Sequence, residues 1–454
     1  MHNSLVTLRA NDCSPFQNQE GHADAIQYFL SKPELKNVFH FKTKKNRFED
    51  DSPIAEFNYK TSSWYAGRYI GEATFEYNNQ HYKIIILPRF GNLQLYNMLE
   101  EVYNIRLSKS SSIQKNDNQF QLLIRKVIAF LWLNLLGKAN KHGVPKKTVS
   151  KTYKGTKVMG RLNVRESIIP LKTEEKIVSR FTEKAPEDVV VRILKEAHRI
   201  LSSNYGIGSI KTSAGARNSL QQIFSFSSNQ KKVSEIEYKN IRYKNIFTNY
   251  KPLVDLSWDI IKNKQFGRQD FHQNSAYSFF LDMAEIWELY LKSILKKKLM
   301  PNGWALVNEK LTAYRYKDFQ RLLIPDIVFE KEGQYLVWDA KYKRMKFDYF
   351  DYDRADFFQI HTYINYHQQK GKVLTAGLLY PLSKQFKEER IKKNKSSTLY
   401  GIGNQETTFI VDGIDYSTIS PEVTDYDNQV NKLKEEEFNF LNRIEKVIFE
   451  KQFL

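Results

Sequence analysis

Residues 322–341 read LLIPDIVFEKEGQYLVWDAK, the pattern of two β-strands joined by a tight turn. Apolar runs surround Asp326 on the first strand and lead up to Asp339 on the second. If the turn centres on Glu332-Gly333, Asp326 lies directly opposite Asp339, whereas a slip of one residue would separate them. Opposed residues in antiparallel strands have Cβ atoms ~5 Å apart. The register therefore predicts that both carboxylates can hold one hard cation.

Lys341 follows Asp339 by two positions, so the two side chains share one face of the predicted strand. A cation held by Asp326 and Asp339 can polarise a water and neutralise charge on a phosphate. Lys341 can orient or deprotonate that water, or stabilise the transition state. The alternative is an ordinary hairpin with a surface Asp-Lys pair. Asp326 argues against it, because an unpaired ion within an apolar strand would cost several kcal/mol.

The composition predicts a globular protein with a polyanionic partner. The chain has 454 residues, 41% of them hydrophobic and 14% aromatic, which is enough for two or three domains with their own cores. Its net charge of +19 favours nucleic acid, although an acidic membrane surface would be attracted by the same rule. The longest apolar run, residues 127–136, is too short to span a bilayer.

Cys13 is the single cysteine, which excludes an intramolecular disulfide framework and a cysteine-based zinc site. The N-terminus lacks the basic-then-apolar order of a signal peptide, so we expect a cytoplasmic protein. Residues 155–160 come nearest to a phosphate-binding loop, but Arg161-Leu162 stand where lysine and serine or threonine are needed. The sequence thus predicts no nucleotide site on this chain.

The hydropathy pattern divides the chain into three predicted segments. Residues 1–115 form an N-terminal β-rich module, 116–265 a largely helical middle region, and 266–454 a C-terminal α/β domain with a terminal helix. The predicted fold class is thus α+β or α/β, with several domains. Helical spacing is expected at 120–140, 188–204, more weakly at 219–227, and at 275–299, 356–369 and 429–449, and a buried strand at 372–379.

Two of the predicted helices carry polar residues of interest. Glu288 borders the buried side of helix 275–299, where its structural interpretation is an ion pair with Lys292 one turn on. Its functional interpretation is a third acidic group near the hairpin cation. Gln359 and Tyr363 lie one turn apart on helix 356–369, so they share a face.

With these residues assembled, the chain resembles the McrC subunits of McrBC-type restriction systems, which carry a nuclease domain of the PD-(D/E)XK class. The segments that carry the resemblance are LDMAEIWE (281–288), IPDIV (324–328), VWDAKYK (337–343) and LLYP (378–381), together with GRYIG (67–71), VMGRL (158–162) and RILKEA (192–197) further upstream.

The resemblance implies a role for each site residue. Asp326 and Asp339 would bind Mg²⁺, for which Mn²⁺ can substitute, with the Ala340 carbonyl and Glu288 as further ligands. Lys341 would activate water, and Gln359 with Tyr363 would brace the site or the nearby DNA backbone. Candidate DNA-binding residues follow directly: Lys343, Arg344 and Lys346.

The resemblance also implies partners. This chain would cut double-stranded DNA, while an AAA+ NTPase of the McrB type, using GTP or ATP, recognises or translocates it. The N-terminal β module would dock on the partner ring and stimulate hydrolysis, and a second nuclease copy would cut the opposite strand. Two other hypotheses stay open: a noncatalytic adaptor that activates such a partner, and a stand-alone nuclease for RNA or branched DNA.

Overall fold

The computed structural model describes residues 5–36, 38–39, 52–103, 117–210, 212–227, 231–262, 277–307, 311–312, 322–343, 354–382, 396–400, 406–419 and 426–452. It is a mixed α+β fold that divides into two compact units. Residues 1–120 and 272–454 form the first unit, and residues 121–271 form the second.

The N-terminal part of the first unit is rich in strands, as predicted. The turn at Asn78-Asn79 has positive φ at both residues and joins the long pair β5–β6. The elements in chain order are β1 (Val6–Asn11), α1 (Ala23–Ser31), β2 (Val38–Phe39), β3 (Ala55–Asn58), β4 (Ser63–Ala66), β5 (Tyr69–Tyr77), β6 (Gln80–Leu87) and α2 (Asn92–Tyr103). The next helix, α3 (Asp117–Ala139), belongs almost entirely to the second unit.

The second unit contains the predicted helices and also a three-stranded antiparallel sheet, ordered β7-β9-β8, that the sequence did not predict. Strand β7 is polar and mostly exposed, so it gives no apolar alternation to detect. The elements here are β7 (Lys146–Gly155), β8 (Arg161–Leu162), α4 (Val164–Glu174), β9 (Ile177–Pro186), α5 (Asp188–Asn204), α6 (Ala214–Ser225), α7 (Glu235–Lys239) and α8 (Tyr250–Lys262).

The C-terminal part of the chain, residues 272–454, belongs to the first unit. Its predicted strand at 372–379 and its predicted helices at 356–369 and 429–449 are confirmed, with bounds that shift by up to three residues. The elements are β10 (Tyr277–Asp282), α9 (Met283–Leu299), β11 (Ala305–Leu306), β12 (Leu311–Thr312), β13 (Leu322–Leu323), β14 (Ile327–Lys331), β15 (Gln334–Ala340), α10 (Arg354–Gln368), β16 (Lys372–Leu379), β17 (Ser396–Tyr400), β18 (Glu406–Asp412) and α11 (Tyr426–Gln452).

The helix predicted over residues 275–299 is wrong in its first part, which is the strand β10. This strand pairs with β5 over six residues, so sheet pairing overrides the helical spacing there. Helix α9 begins at Met283 because Asp282 caps it: Asp282 Oδ1 accepts a hydrogen bond from the Ala284 N–H at 3.0 Å. Asp282 also pairs with Arg68 at 3.0 Å.

Strand β10 belongs to a five-stranded sheet of order β1-β6-β5-β10-β2. The first and third segments predicted from the sequence therefore share one sheet. Phe280 of β10 is fully buried in the same core as Leu8, Phe29 and Ile84 from the N-terminal segment.

The second sheet of this unit has six strands in the order β11-β14-β15-β16-β18-β17 and carries the hairpin of the opening sequence. The predicted register is confirmed: Ile327 pairs with Trp338 and Lys331 with Gln334. The turn is made by Glu332 and Gly333, both with positive φ, as a two-residue hairpin requires. Helix α10 packs on β15 and β16 over the core that contains Val337, Ile360 and Tyr363.

Candidate functional site at the open end of the hairpin

Two aspartates meet where the hairpin ladder ends. Pro325 has no N–H, and the pairing of β14 with β15 begins at Ile327, just after Asp326. The Asp326 side chain continues the ladder, because its Oδ2 accepts a hydrogen bond from the Ala340 N–H at 2.9 Å. The Asp326 carboxyl also lies close enough to the Asp339 side chain to affect its pKa. The predicted juxtaposition of Asp326 and Asp339 is therefore present.

Asp339 is only 1% exposed. Burial raises the pKa of the Asp339 carboxyl, and the nearby Lys341 and Asp326 offset part of that rise. A buried carboxylate of this kind is costly unless a cation lies beside it. In this structure the cation is Lys341, whose Nζ lies 2.6 Å from Asp339 Oδ2.

Lys341 has three acceptors around its ammonium group. Besides Asp339, these are Gln359 Oε1, to which it donates at 2.7 Å, and Asp356 Oδ1 at 3.3 Å. Although burial opposes its charged form, the carboxylates of Asp339 and Asp356 raise the pKa of Lys341 above its ordinary value. Lys341 is therefore a fixed positive charge at neutral pH.

Helix α10 carries the residues that hold Lys341. Gln359 Nε2 donates to Tyr363 Oη at 3.0 Å, and Tyr363 Oη donates to the Ile324 carbonyl at 3.3 Å. This chain of hydrogen bonds ties Lys341 to the strand that leads into Asp326. These contacts are compatible with the predicted role of Gln359 and Tyr363, which is to brace the site.

Asp356 is a site residue that the sequence reasoning missed. It is 5% exposed, lies within ion-pair distance of both Lys341 and Lys343, and accepts a hydrogen bond from Tyr380 Oη at 3.1 Å. The signal in the sequence was its spacing: Asp356 precedes Gln359 by three positions and Tyr363 by seven, which places all three on one helix face.

Glu288 has a different environment. It is 8% exposed, and its Oε1 pairs with Lys292 Nζ at 2.5 Å, which is the structural interpretation of its spacing. Within the part of the chain that the structure describes, no three Asp, Glu, His or Cys side chains group as metal ligands. Glu288 therefore does not complete a three-residue acidic set with Asp326 and Asp339 here.

The predicted DNA-binding residues are covered in part. Lys343 Nζ lies 2.6 Å from Asp356 Oδ2, with its side chain 37% exposed. Arg344 and Lys346 lie outside the described residues.

The donor set at the hairpin end fits Mg²⁺ or Mn²⁺. Mg²⁺ is commonly bound by one or two carboxylates and keeps several waters, so it does not need a third acidic side chain. Asp326 and Asp339 supply the carboxylates, and the hydrogen bond from the Ala340 N–H to Asp326 places the Ala340 backbone beside them. The arrangement can also bring a lysine charge to a bound anion.

Comparison with known proteins identifies the class of this chain. A family model described as McrBC 5-methylcytosine restriction system component matches residues 65–381. The chain belongs to this family, which confirms the resemblance seen in the sequence. Curated protein sequences give no match.

Two solved structures are similar to this chain. One is a half-complex from the tetradecameric assembly of Thermococcus gammatolerans McrB AAA+ hexamers with bound McrC, at 14% identity and a TM-score of 0.47, over 97% of this chain and 100% of that chain. The other is a cryo-EM structure of the Thermococcus gammatolerans McrBC complex, at 14% identity and a TM-score of 0.32, over 65% of this chain and 88% of that chain.

Among the described residues, none forms a helix with the length and apolar character that crossing a bilayer requires.

Proposed function

We propose that this chain is the Mg²⁺-dependent DNA endonuclease subunit of an McrBC-like restriction system, with a nuclease domain of the PD-(D/E)XK type. One observation carries the proposal: Asp326, Asp339 and Lys341 converge at the open end of a single hairpin. Family membership and the net charge of +19 support it further.

In this proposal Asp326, Asp339 and the Ala340 carbonyl hold the divalent ion. When bound, such an ion supplies Lewis-acid stabilisation of phosphate charge and a more acidic water. Mn²⁺ offers the same oxygen-ligand chemistry and is expected to substitute.

Lys341 acts in this proposal as a cation that stabilises negative charge on the scissile phosphate. The ion pair with Asp356 favours this role over proton abstraction, because Asp356 can hold the ammonium in its charged form while Asp339 binds the divalent ion. Gln359 and Tyr363 keep the ammonium directed at the site.

The proposal includes a partner. McrC subunits, which this chain resembles, work with an AAA+ NTPase of the McrB type, and we infer that this chain docks on such a partner and stimulates its GTP or ATP hydrolysis. The strand-rich N-terminal segment is the proposed docking side. Double-stranded DNA is the proposed substrate, and a second nuclease copy would cut the opposite strand.

Calorimetric titration with Mn²⁺ separates a nuclease from a noncatalytic adaptor. Wild-type protein is expected to bind Mn²⁺, and Asp326→Asn is expected to bind it at least about tenfold more weakly, because a ligand charge is lost. Asp255→Asn, which changes an acidic residue of the second unit, is the matched control and should bind like wild type. Equal binding by wild type and Asp326→Asn would favour the adaptor.

A further inference from the structure

A buried ion pair in the N-terminal sheet reaches the backbone next to Lys341. Strands β1 and β6 are parallel neighbours, so their carboxyl ends meet at one edge of the sheet. Asp12 follows β1 there and is fully buried, and Arg89 follows β6. The Arg89 N–H donates to Asp12 Oδ1, and Arg89 Nε lies 3.7 Å from Asp12 Oδ2.

The Arg89 side chain extends from this edge to the end of the nuclease hairpin. Its guanidinium carbon lies 4.6 Å from the centre of the Tyr342 ring, and its Nη2 donates to the Lys343 carbonyl at 3.4 Å. Tyr342 is 3% exposed, so the contact is buried. Arg89 thus touches both residues that follow Lys341.

The backbone at Lys341 has two supports as a result. Strand β16 provides one, because the Lys341 N–H donates to the Leu379 carbonyl at 2.9 Å. Strand β15 ends at Ala340, and beyond Lys341 the contacts from Arg89 hold Tyr342 and Lys343. Displacement of Tyr342 would move Lys341 directly, since the two residues are joined by one peptide bond.

The Asp12–Arg89 ion pair is costly to bury, so we expect it to contribute something in return. Burying Asp12 and Arg89 carries a desolvation cost that well-packed apolar side chains would avoid. Burial raises the pKa of Asp12, with Arg89 offsetting part of the rise, which shows the same cost. A planar guanidinium that stacks on a ring and donates to a carbonyl gives geometric definition that an apolar side chain lacks.

We propose that Arg89, anchored by Asp12, is a positioning residue of the nuclease site that fixes the segment from Lys341 to Lys343 from the N-terminal sheet. The inference rests on the proposed function for its catalytic consequence. Its structural part stands on the contacts alone.

The test compares Arg89→Met with Arg192→Met in the full chain. Arg192 is a matched control, because its side chain is 9% exposed against 11% for Arg89 and is also ion-paired, with Asp188 and Glu237. The first readout is hydrogen exchange of a peptide covering residues 334–343 without metal. Exchange at Lys341 to Lys343 should be faster in Arg89→Met and unchanged in Arg192→Met.

The second readout is DNA cleavage with the partner NTPase and Mg²⁺. Arg89→Met should lower kcat by about 10- to 100-fold, the range for residues that orient a metal site, with little change in KM for DNA. Arg89→Lys should recover part of kcat. Tyr342→Leu removes the ring on which Arg89 stacks and the hydroxyl beside Asp12, while Asp12 and Arg89 themselves remain, so it should also speed exchange if Arg89→Met is too unstable to study.

Unchanged exchange and unchanged kcat in a folded Arg89→Met or Tyr342→Leu variant would overturn the inference. Absence of cleavage by the wild type would instead overturn the proposed function. In that case the exchange measurement still decides whether Arg89 fixes the segment.

Discussion

Lys341 has three acceptors, which is the number of hydrogens its ammonium group can donate. Asp339 is the acceptor that a divalent ion would also use. An ion bound there would repel the ammonium from Asp339, while Asp356 and Gln359 remain to hold it. Substitutions of Lys341 and of its acceptors should therefore affect cleavage and metal binding to different extents.

Lys341→Met tests the charge of the lysine. Cleavage should fall by about 100-fold or more, because one preorganised positive charge is lost from the site. Mn²⁺ affinity should be unchanged or tighter, since the competing ammonium at 2.6 Å from Asp339 is gone. Cleavage assays and calorimetry measure the two effects. Lys297→Ala, an exposed lysine that pairs with Glu101, is the control; equal loss of metal binding and cleavage in Lys341→Met would contradict this account.

Asp356→Asn tests the acceptor that the sequence reasoning missed. The substitution keeps the size of the side chain and removes its charge, so Lys341 and Lys343 lose a shared partner. We expect about a tenfold loss of kcat, as for other residues that orient a site, with Mn²⁺ affinity retained. Steady-state kinetics and calorimetry on the same preparation give both values. A kcat equal to that of the wild type in Asp356→Asn would show that Asp356 does not contribute to the site.

The residues that were predictable are those whose relation is local. A two-residue turn and strand alternation fix Asp326 opposite Asp339 and put Lys341 on the same face. The relation of these three residues can therefore be predicted from 20 consecutive residues. Asp356 reaches the lysines only because α10 packs on the sheet, and no local rule gives that placement. Glu288 was ambiguous because its neighbour Lys292 and a distant metal site were both compatible with its position.

At the scale of elements, the position of β15 depends on its neighbour β16. Gly377 of β16 lies between Trp338 of β15 and Ile410 of β18. Its φ is +154°, and a Cβ there would lie 1.8 Å from the Ile410 carbonyl oxygen. The sheet therefore needs glycine at this point for three strands to approach.

Gly377→Ala should lower the free energy of unfolding of the first unit by roughly 2–4 kcal/mol, from backbone strain and overpacking. Urea denaturation followed by tryptophan fluorescence measures it. Gly215→Ala is the control, because nothing lies within 4 Å of its added Cβ, and this variant should be at least as stable as wild type. Equal stability of both variants would show that the sheet relaxes around an alanine.

The elements that the sequence predicted well have a strong apolar pattern. Helix α5 matches its expected bounds because its apolar residues recur at helical spacing, and strand β16 matches because it is a continuous run that is buried after its first residue. Strand β10 was mistaken for the start of a helix, since its apolar residues also fit helical spacing and its partner β5 lies some 200 residues away in sequence. The sheet β7-β9-β8 was missed because its long strand β7 is mostly polar and exposed.

At the scale of the whole molecule, the first unit is built from two distant segments of chain. Strand β10 adds to the sheet formed by β1, β5 and β6, and Phe280 completes their core. The second unit has its own buried residues and internal contacts, such as the hydrogen bond from Trp132 Nε1 to Ser257 Oγ at 2.7 Å.

Fragments test this division. Residues 266–454 alone should show no cooperative thermal transition, because β10 loses its partner β5 and Phe280 becomes exposed. Co-expression with residues 1–120 should restore the transition. Residues 121–271 alone, as the control, should unfold cooperatively. The thermal transitions are measured by circular dichroism, and a sharp transition of isolated 266–454 would mean that this C-terminal segment folds by itself.

In the proposed active site, Asp326 and Asp339 hold a divalent ion beside Lys341. The measurement that tests this arrangement most directly is cleavage of linear duplex DNA by Asp339→Ala, assembled with the AAA+ partner and its nucleotide in the presence of Mg²⁺. The account predicts that cleavage falls by at least about 100-fold while stimulation of the partner's hydrolysis is retained. Undiminished cleavage by Asp339→Ala would contradict it.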